Sequence, residues 1–427
     1  MQPTEIYKQF LSCSTITMDS REVPNQSLFF ALKGENFNGN RFAEDALNKG
    51  AKYALVDEKK YALDDRYILV DDVLQTMQQL ATYHRDQLKT KVIGITGTNG
   101  KTTTKELINQ ILSRKYHTIA TEKNYNNHIG VPFTLLKMNM DHQVAIVEMG
   151  ANHPGEIKFL CELAKPEFGL ITNIGKAHLE GFGSFNGVIK TKNELYEYVA
   201  SNKGTLFYNS DNELLKDLLK DKACRKIDYG TSENAFCSGK IVKSDPYLTL
   251  RLQDFPLIKS KLIGNYNLEN ILAGVCVGKY FNVPAKQISQ AIGCYTPGNN
   301  RSQVIQRDTN TIILDAYNAN PTSMKAAIDN FSRIGGKHKA LILGDMFELG
   351  EFSDNEHRNI IDLVEQYTFS AVFYVGPTFS ENARNQHNTF RSTSEFIEWL
   401  KKNPLENFTI LIKGSRGMAL EKIINHL

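Results

Sequence analysis

The residues with the clearest chemistry are a lysine and a threonine, Lys101 and Thr102, that follow a glycine-rich turn. The turn, residues 97–100 (Gly97, Thr98, Asn99, Gly100), comes after an apolar run at 92–95 and before a helix-like pattern. Glycines let backbone N–H groups close around phosphate oxygens, and the helix N-terminus adds positive potential. The lysine would reach the outer phosphates, and the threonine hydroxyl would face Mg²⁺. The spacing therefore predicts a nucleoside triphosphate site.

The match to the general phosphate-loop pattern is not strict. Ile95 stands five residues before Gly100, where the general pattern has glycine, and glycines stand instead at Gly94 and Gly97. The alternative interpretation is a glycine-rich turn of an unrelated α/β protein, in which Lys101 is a solvated surface charge. The strand–turn–helix context favours the phosphate site.

Three further side chains are candidates for metal chemistry. Glu148 ends the apolar run 144–147, and a carboxylate at a strand end suits a Mg²⁺ ligand, although it could also be an ordinary strand-end acid. His178 lies in a glycine-flanked loop, where a single histidine is more often a hydrogen-bonding residue than a ligand. Lys192 lies on a helix-like segment near Lys190, and both lysines are solvated charges by default.

Polar groups also follow several strand-like runs near the C-terminus. They are Asp315 at the start of residues 315–321 (Asp-Ala-Tyr-Asn-Ala-Asn-Pro), Asp345 within 344–350 (Gly-Asp-Met-Phe-Glu-Leu-Gly), and residues 413–416 (Lys-Gly-Ser-Arg). Ligands in doubly wound sheets bind at the carboxyl ends of strands. Pro321 would begin a helix, where its missing N–H costs nothing. The alternative is a set of turns rich in capping residues.

Composition limits the classes of protein. The chain has 427 residues, 41% hydrophobic and 23% charged, which is typical of a globular protein with two to four domains. A net charge of +3 gives no broad field for nucleic acid or a membrane surface. Six scattered cysteines without a Cys-x-x-Cys pair predict a reducing compartment. A polar start and no apolar run of membrane-spanning length predict a cytoplasmic protein without membrane insertion.

The elements that position these residues fall into three blocks. The first, to about residue 87, has strand-like runs at 27–33 and 52–56 around a helix-like 42–49. The second alternates short apolar strands, at 144–147 and 169–172, with helical patterns, and ends in a predicted helix at 265–281. After a linker at 295–301, the third has strand-like runs at 311–314, 340–343, 371–375 and 408–412, with helical segments at 324–331 and 359–367.

This order predicts an α/β fold of three domains, with limits at 1–88, 89–298 and 299–427. We expect a small α/β domain, a central P-loop-type domain with a mostly parallel sheet, and a C-terminal Rossmann-like α/β domain. Hinge motion is predicted near 89–91 and 297–301.

Taken together, the motifs resemble the Mur peptide ligases of cell-wall synthesis over essentially the whole chain. The phosphate loop at 97–103 is similar to their ATP loop, and Glu148, the His178 loop and the Asn267-x-x-Asn270 pair stand in family order. Several segments are similar to the member that adds D-alanyl-D-alanine: 124–132, 148–153, 317–321, 344–350 with His357, and 413–416.

The resemblance implies a role for each matching residue. Lys101 would hold the β- and γ-phosphates within the loop Gly97, Thr98, Asn99, Gly100, Thr102 and Thr103. Thr102 and Glu148 would bind a first Mg²⁺ and His178 a second, while Lys192 matches the family's carbamylated lysine. Nucleotide contacts would come from Asn267, Asn270, Arg301 and Asp315.

The same resemblance implies two substrate sites. The UDP-sugar substrate would be bound by Ser20, Arg21, Lys33, Gly34, Asn126 and Asn127. The incoming dipeptide would face Tyr317, Asn318, Ser415 and the catalytic Asp345. The implied protein is a cytoplasmic, monomeric ligase that uses ATP and Mg²⁺ to join D-alanyl-D-alanine to UDP-N-acetylmuramoyl-tripeptide, with no nucleic-acid partner. The tripeptide's third residue, meso-diaminopimelate or L-lysine, stays open.

Three alternatives stay open beside this interpretation. One is another amide ligase of the same architecture, such as folylpolyglutamate synthase or a Mur ligase that adds a single amino acid. The segments at 317–321 and 344–350 argue against it. A second is a nucleotide-dependent switch or motor, for which the sequence shows no charge block or coiled coil. A third is a degenerate binding subunit, which the intact Lys101, Glu148 and Lys192 disfavour.

Overall fold

Three main β-sheets, one after another along the chain, organise the molecule. The computed structural model describes residues 3–298, 300–383 and 388–427. Asn299, within the predicted linker, lies outside these residues. The sheets have four, nine and six strands, and a two-stranded hairpin accompanies the first.

The first sheet is parallel and small, with strand order β1-β2-β5-β6. The elements of this region, in chain order, are α1 (Pro3–Leu11), β1 (Ile16–Thr17), β2 (Leu28–Phe30), β3 (Lys33–Gly34), β4 (Phe37–Asn38), α2 (Ala43–Asn48), β5 (Tyr53–Val56), β6 (Tyr67–Leu69) and α3 (Val73–Asp86). Strands β3 and β4 form the separate antiparallel hairpin. Asp72 caps α3 by accepting the Gln75 N–H at 2.7 Å.

The second sheet carries the phosphate loop. Its first elements are β7 (Lys91–Thr96), α4 (Lys101–Leu112), β8 (Thr118–Ala120), α5 (Gly130–Leu136), β9 (Val144–Glu148), α6 (Glu156–Ala164), β10 (Phe168–Ile171), α7 (Leu179–Phe182) and α8 (Phe185–Ser201). They are followed by β11 (Thr205–Asn209), α9 (Glu213–Leu219), β12 (Arg225–Gly230), β13 (Cys237–Ser244), β14 (Tyr247–Leu252), β15 (Ile258–Ile263), α10 (Asn267–Tyr280) and α11 (Ala285–Cys294). The order is β15-β14-β13-β12-β11-β10-β7-β9-β8.

The third sheet is doubly wound. Its elements are β16 (Gln303–Arg307), β17 (Asn310–Asp315), α12 (Pro321–Arg333), β18 (His338–Gly344), α13 (Ser353–Glu365), β19 (Ala371–Val375), α14 (Pro377–Asn382), β20 (Asn388–Phe390), α15 (Thr393–Leu400) and β21 (Phe408–Lys413). The order is β16-β17-β21-β18-β19-β20, parallel except for β16. Asn320 and Ser323 form a capping box at the start of α12.

The predicted α/β fold with a mostly parallel central sheet is confirmed. All predicted strands are present within a few residues, and the predicted helix at 265–281 is α10. Strands β13 to β15 were not predicted, and they extend the central sheet by two antiparallel pairings. Residues 83–86, interpreted from sequence as a polar connection, are the last turn of α3.

Helix α3 joins the first region to the central one. The Arg85 side chain donates to the carbonyl oxygens of Ala164 at 3.0 Å and Leu88 at 3.1 Å, and to the Glu167 carboxylate. His84 bonds the carbonyl of Met138 at 2.8 Å. One apolar cluster runs from Ile6 through the helices of both regions. Buried side chains therefore pack across the junction near 89–91, and the hinge there stays a prediction.

All six cysteines are free thiols. Within the described part of the chain, none of the helices has the length and apolar character needed to cross a membrane.

Candidate active site

A large cavity lies between the central and C-terminal regions, at the carboxyl ends of their parallel strands. Its volume is about 1290 Å³. The central region contributes the phosphate loop, Glu148 and the loop after β10, and the C-terminal region contributes the loops after β17, β18 and β21. This is where open α/β sheets bind ligands, and two such edges face each other here.

Two glycines of the phosphate loop have no room for a side chain. Gly97 has φ of +142°, and a Cβ there would lie 2.0 Å from Thr172 Oγ1. Gly100 has φ of +78°, and its Cβ would lie 2.3 Å from Asn270 Oδ1. The loop therefore needs glycine both for its backbone angles and for its close approach to β10 and α10.

The remaining loop residues are tied to the loop that follows β10. The Asn99 N–H donates to Asn173 Oδ1 at 2.9 Å, and Thr98 Oγ1 donates to the carbonyl of Gly175 at 3.2 Å. Thr103 lies with them on the cavity wall. Preorganised backbone of this kind fits an anionic ligand.

Lys101 begins α4 and folds back over the loop. Its Nζ donates to the carbonyl oxygens of Gly97 at 2.6 Å and Thr98 at 2.8 Å. Burial lowers the pKa of Lys101 to about 8, and the charge of Arg301 acts in the same direction, while Glu148 opposes it. The amine is therefore mainly charged below about pH 8, and a nearby anion would favour the charged form further.

Glu148, at the end of β9, is a buried carboxylate facing the loop. Its Oε1 accepts from Thr102 Oγ1 at 3.2 Å and from Asn126 Nδ2 at 2.8 Å. Its Oε2 is buried without a hydrogen-bond partner among the described residues. An unpaired carboxylate oxygen beside a threonine hydroxyl and a phosphate loop fits Mg²⁺, which takes one or two protein oxygens together with substrate phosphates. Within the described ranges no three His, Cys, Asp or Glu residues cluster as an all-protein metal site.

His178 does not reach Glu148 but contacts the C-terminal region. Its Nδ1 pairs with the carboxylate of Glu348, and its backbone is left-handed, with φ of +50°. The hydrogen bond from His178 lowers the pKa of Glu348. Lys176 pairs with Glu356 at 2.8 Å, so two side-chain contacts join the regions here. Sequence analysis did not find these contacts, because no local pattern links residues that far apart.

Lys192 is buried on α8, so its solvated interpretation is wrong, whereas Lys190 is exposed as expected. The Nζ of Lys192 lies 5.6 Å from the ring centre of Phe182, and no hydrogen bond joins this Nζ to another described residue. Burial lowers the pKa of Lys192 well below its usual value, and the charge of Lys101 adds to this. The amine is behind the cavity wall rather than on it.

The two asparagines of α10, Asn267 and Asn270, form a pair that packs against the phosphate loop and the first turn of α4. Asn270 Nδ2 donates to Asn267 Oδ1 at 2.7 Å, and Asn270 Oδ1 accepts from Thr104 at 3.1 Å. Asn267 Nδ2 donates to the carbonyl of Ile263 at 2.7 Å. Both residues also line the cavity.

The wall of the cavity that the C-terminal region forms, opposite the phosphate loop, carries an aromatic ring close to two arginine side chains. The Arg301 guanidinium lies 3.8 Å from the Tyr317 ring centre, and that of Arg416 lies at 5.4 Å. Asp315 accepts from the Ser302 N–H at 3.0 Å and from Lys413 Nζ at 2.6 Å.

Asn318 and Ser415 stand on the same wall. The carbonyl of Asn318 accepts from Lys413 Nζ at 3.3 Å, and Ser415 Oγ accepts from the Phe347 N–H at 2.9 Å. Buried Lys413, which the sequence placed at a strand end, and buried Ser302, which was not predicted, thus hold the wall together.

Asp345 does not line the cavity, and its predicted contact with the dipeptide does not match this placement. The side chain is fully buried and accepts the N–H groups of Thr378 and Phe379, each at 2.9 Å. His357 Nε2 accepts the Met346 N–H at 3.0 Å, and burial lowers the pKa of His357. The Asp345 side chain therefore ties the turn after β18 to the start of α14, and His357 bonds the backbone of that turn at Met346.

Of the residues predicted for the UDP-sugar, Asn126 and Asn127 line the cavity and four do not. Those four, in the first region, are Ser20, Arg21, Lys33 and Gly34. Arg21 is exposed and pairs with Asp19 at 2.7 Å, and Lys33 pairs with Asp57 at 2.9 Å. Asn127 Oδ1 accepts the N–H groups of Ile129 and Gly130 at the start of α5. The structure thus leaves the predicted substrate residues in two separate groups.

Comparison with known proteins places this geometry in a family. The family model of the Mur ligase middle domain matches residues 95–278, the Mur ligase glutamate ligase domain matches 300–416, and the Mur ligase family catalytic domain matches 12–85.

Two named relatives match along nearly the full length. A UDP-N-acetylmuramoyl-tripeptide--D-alanyl-D-alanine ligase of Bacillus subtilis (strain 168) is 34% identical, over 96% of this chain and 92% of that protein. A protein of the same name from Escherichia coli (strain K12) is 32% identical, over 98% and 94%. The crystal structure of MurF from Acinetobacter baumannii superposes with a TM-score of 0.86 at 27% identity, over 99% and 98%. The chain belongs to the Mur ligase family.

Proposed function

We propose that this protein is the ATP-dependent ligase that joins D-alanyl-D-alanine to the terminal carboxylate of UDP-N-acetylmuramoyl-tripeptide, a step of peptidoglycan precursor synthesis. One observation carries the proposal. Relatives with that name match the whole chain, and the phosphate loop that such a ligase needs opens into a cavity shared by two regions. A crystal structure of the Thermotoga maritima MurF ligase in complex with ADP has the same fold, with a TM-score of 0.84 at 24% identity.

The reaction needs activation of the carboxylate, because oxide is not a usable leaving group at neutral pH. The carboxylate oxygen attacks the γ-phosphorus of ATP and forms an acyl phosphate, and ADP leaves with the electrons of the broken P–O bond. The dipeptide amine then attacks the acyl carbon. The tetrahedral intermediate expels phosphate, and the amine loses a proton as the amide forms.

The residues around the phosphate loop would stabilise the first transfer. Lys101, whose Nζ already lies over the loop, would neutralise charge on the β- and γ-phosphate oxygens. Thr102 and the free Oε2 of Glu148 would hold Mg²⁺, which supplies positive charge to phosphate oxygens when bound. His178 is the proposed ligand of a second Mg²⁺ and would first have to leave Glu348.

Lys192 is proposed to act as a carbamate. A neutral amine attacks CO₂, forms an N–C bond and loses a proton, which leaves an anionic group. The lowered pKa of Lys192 supports this, because more of the amine is neutral.

The other predicted contacts form three proposed sites. Asn267, Asn270, Arg301 and Asp315 would line the nucleotide, and Tyr317, Asn318 and Ser415 would face the dipeptide. The UDP-sugar substrate would span two groups of residues. One is the first-region group, Ser20, Arg21, Lys33 and Gly34, and the other is the cavity pair, Asn126 and Asn127. We also propose domain limits at 1–88, 89–298 and 299–427, a cytoplasmic location and a monomer.

Phosphate release by the purified protein with ATP and Mg²⁺ tests the proposal. UDP-N-acetylmuramoyl-tripeptide, in its meso-diaminopimelate and L-lysine forms, and D-alanyl-D-alanine would be added separately and then together. We expect release only with both substrates, and a product heavier by the dipeptide. Release that is independent of either substrate would support a nucleotide-driven switch instead, and use of a single amino acid or a folate would support another ligase of this fold.

A further inference from the structure

The turn that follows β18 is built to present one side chain, Phe347. Asp345 and Met346 are buried at 0% and 2% exposure, whereas Phe347 is 44% exposed. Backbone N–H groups along the turn are bonded in sequence: Asp345 to the carbonyl of Val375, Met346 to His357, and Phe347 to Ser415. A turn fixed at each of these positions holds the ring in one place.

The ring of Phe347 stands on the cavity wall beside Gly417. A Cβ on Gly417 would lie 2.6 Å from the Phe347 ring carbon Cε2, so the ring covers this glycine closely. Both residues line the cavity, together with Arg416. Large exposed apolar groups inside a polar pocket are typical of ligand contacts.

The chemistry of this corner fits a small peptide better than a nucleotide. The phosphate loop and the asparagines of α10 belong to the central region, whereas Phe347 and Gly417 belong to the C-terminal one. Arg416 is exposed, and within the part of the chain that the structure describes its guanidinium has no carboxylate partner. An apolar ring next to a glycine and an arginine that has no carboxylate partner among the described residues matches a molecule with small apolar side chains and a terminal carboxylate.

We propose that Phe347, packed over Gly417, is a specificity-determining residue that forms the apolar wall for the side chains of the amino-donor dipeptide. The proposal rests on the proposed function. The ring limits the size of the side chain that fits and excludes water from the methyl groups it touches.

Steady-state kinetics of Phe347→Ala test the proposal. We expect the KM for D-alanyl-D-alanine to rise about tenfold, with kcat and the KM for ATP changed far less, because one lost apolar contact costs about that factor. The preference for D-alanyl-D-alanine over D-alanyl-D-leucine should fall by a similar factor. Phe352→Ala is the matched control, since Phe352 is 37% exposed in the next turn and does not line the described cavity.

A double-mutant cycle separates this role from a structural one. Gly417→Ala must displace the ring, so it should raise the KM for the dipeptide in the parent protein and add little in the Phe347→Ala background. Fully additive effects, or an unchanged KM and dipeptide preference in Phe347→Ala, would overturn the proposal. If the parent protein itself forms no amide with the dipeptide, the proposed function fails, which is a different result.

Discussion

Two lysines behind and beneath the phosphate site share one physical feature, which is a lowered pKa. Burial is the main cause for both lysines. A nearby positive charge also disfavours protonation of each amine: Lys101 lowers the pKa of Lys192, and Arg301 lowers the pKa of Lys101. The two amines have different surroundings, however. Lys101 lines the cavity and bonds two loop carbonyls, whereas Lys192 is buried off the cavity wall, with its Nζ 5.6 Å from the ring centre of Phe182.

The pKa of about 8 for Lys101 predicts a pH dependence of nucleotide binding. Bound phosphate raises that pKa, so above pH 8 binding must take up a proton. Affinity for ATP should be level below pH 8 and should fall as pH rises above it. Isothermal titration calorimetry across this range should show the fall, and Lys101→Met should bind more weakly with a flatter profile. A parent profile as flat as that of the variant would contradict the assignment.

We expect buried Lys192, whose pKa is lowered, to form a carbamate, and we expect exposed Lys190 not to form one. With carbon-13-labelled CO₂, the protein should show a carbamate resonance that Lys192→Met removes and Lys190→Met keeps. We expect kcat to fall at least about a hundredfold in Lys192→Met, as for loss of a group that places charge at the reacting centre. Equal kcat in the two variants would exclude the role.

For single residues, the sequence indicated which side chains could do chemistry better than it indicated where those side chains lie in the fold. Lys101, Thr102 and Glu148 lie together as expected, since adjacent parallel strands bring their carboxyl ends to one edge. Asp345 was expected in the site but bonds backbone N–H groups of α14. A carboxylate after a strand has the same local pattern in both cases, and only the packing of α14 decides between them.

At the scale of elements, the phosphate loop depends on α10 as well as on its own residues. Gly100→Ala would place a methyl group 2.3 Å from Asn270 Oδ1 in a left-handed conformation, so α10 or the loop must move. We expect a loss of more than about 2 kcal/mol in the free energy of unfolding, because a left-handed alanine alone costs about 1–2 kcal/mol. Urea denaturation of the parent protein and of Gly100→Ala measures this loss in the free energy of unfolding.

Gly155→Ala is the control for that measurement. Gly155 has a similar φ of +83° with nothing within 4 Å of its Cβ, so only the backbone cost applies. If the two variants lose the same stability, the contact with α10 contributes nothing.

Continuous apolar runs predicted many of the parallel strands, such as β7, β9 and β17, because parallel strands are buried on both faces. Other parallel strands were not predicted, namely β1, β6, β8, β11, β12 and β20. The antiparallel strands β13 to β15 were not predicted either, although the alternation of buried and more exposed residues along β14 is a strand signal that could have found it. Nor was the helical state of residues 83–86 predicted, since buried His84 and Arg85 are ordinary polar residues in sequence.

At the scale of the whole molecule, buried side chains join the first two regions. Arg85 is 8% exposed and bonds carbonyl groups on both sides of the junction. Arg85→Met should lower the free energy of unfolding by about 3 kcal/mol, because buried carbonyls lose a charged donor. Arg66→Met, at an exposed pair with Asp64, should change it by less than about 1 kcal/mol. Equal effects would show that the junction is not held in this way.

We therefore expect any domain closure to take place between these two regions and the C-terminal region. The contacts across the cavity include polar ones, such as Lys176 with Glu356 and Asn99 with Asn320 at 2.9 Å. Small-angle scattering should show compaction when an ATP analogue and both substrates are added. The distance between labels on the first and central regions should stay constant, and a change in that distance would support a hinge near 89–91.

The most direct test of the account is the path of one oxygen atom. UDP-N-acetylmuramoyl-tripeptide would be labelled with oxygen-18 in its terminal carboxylate and converted with ATP and D-alanyl-D-alanine. An acyl phosphate intermediate predicts one labelled oxygen in the released phosphate for each amide formed, measured by mass spectrometry. Amide formation with unlabelled phosphate would contradict carboxylate activation at this loop, and phosphate release without amide would contradict the ligase itself.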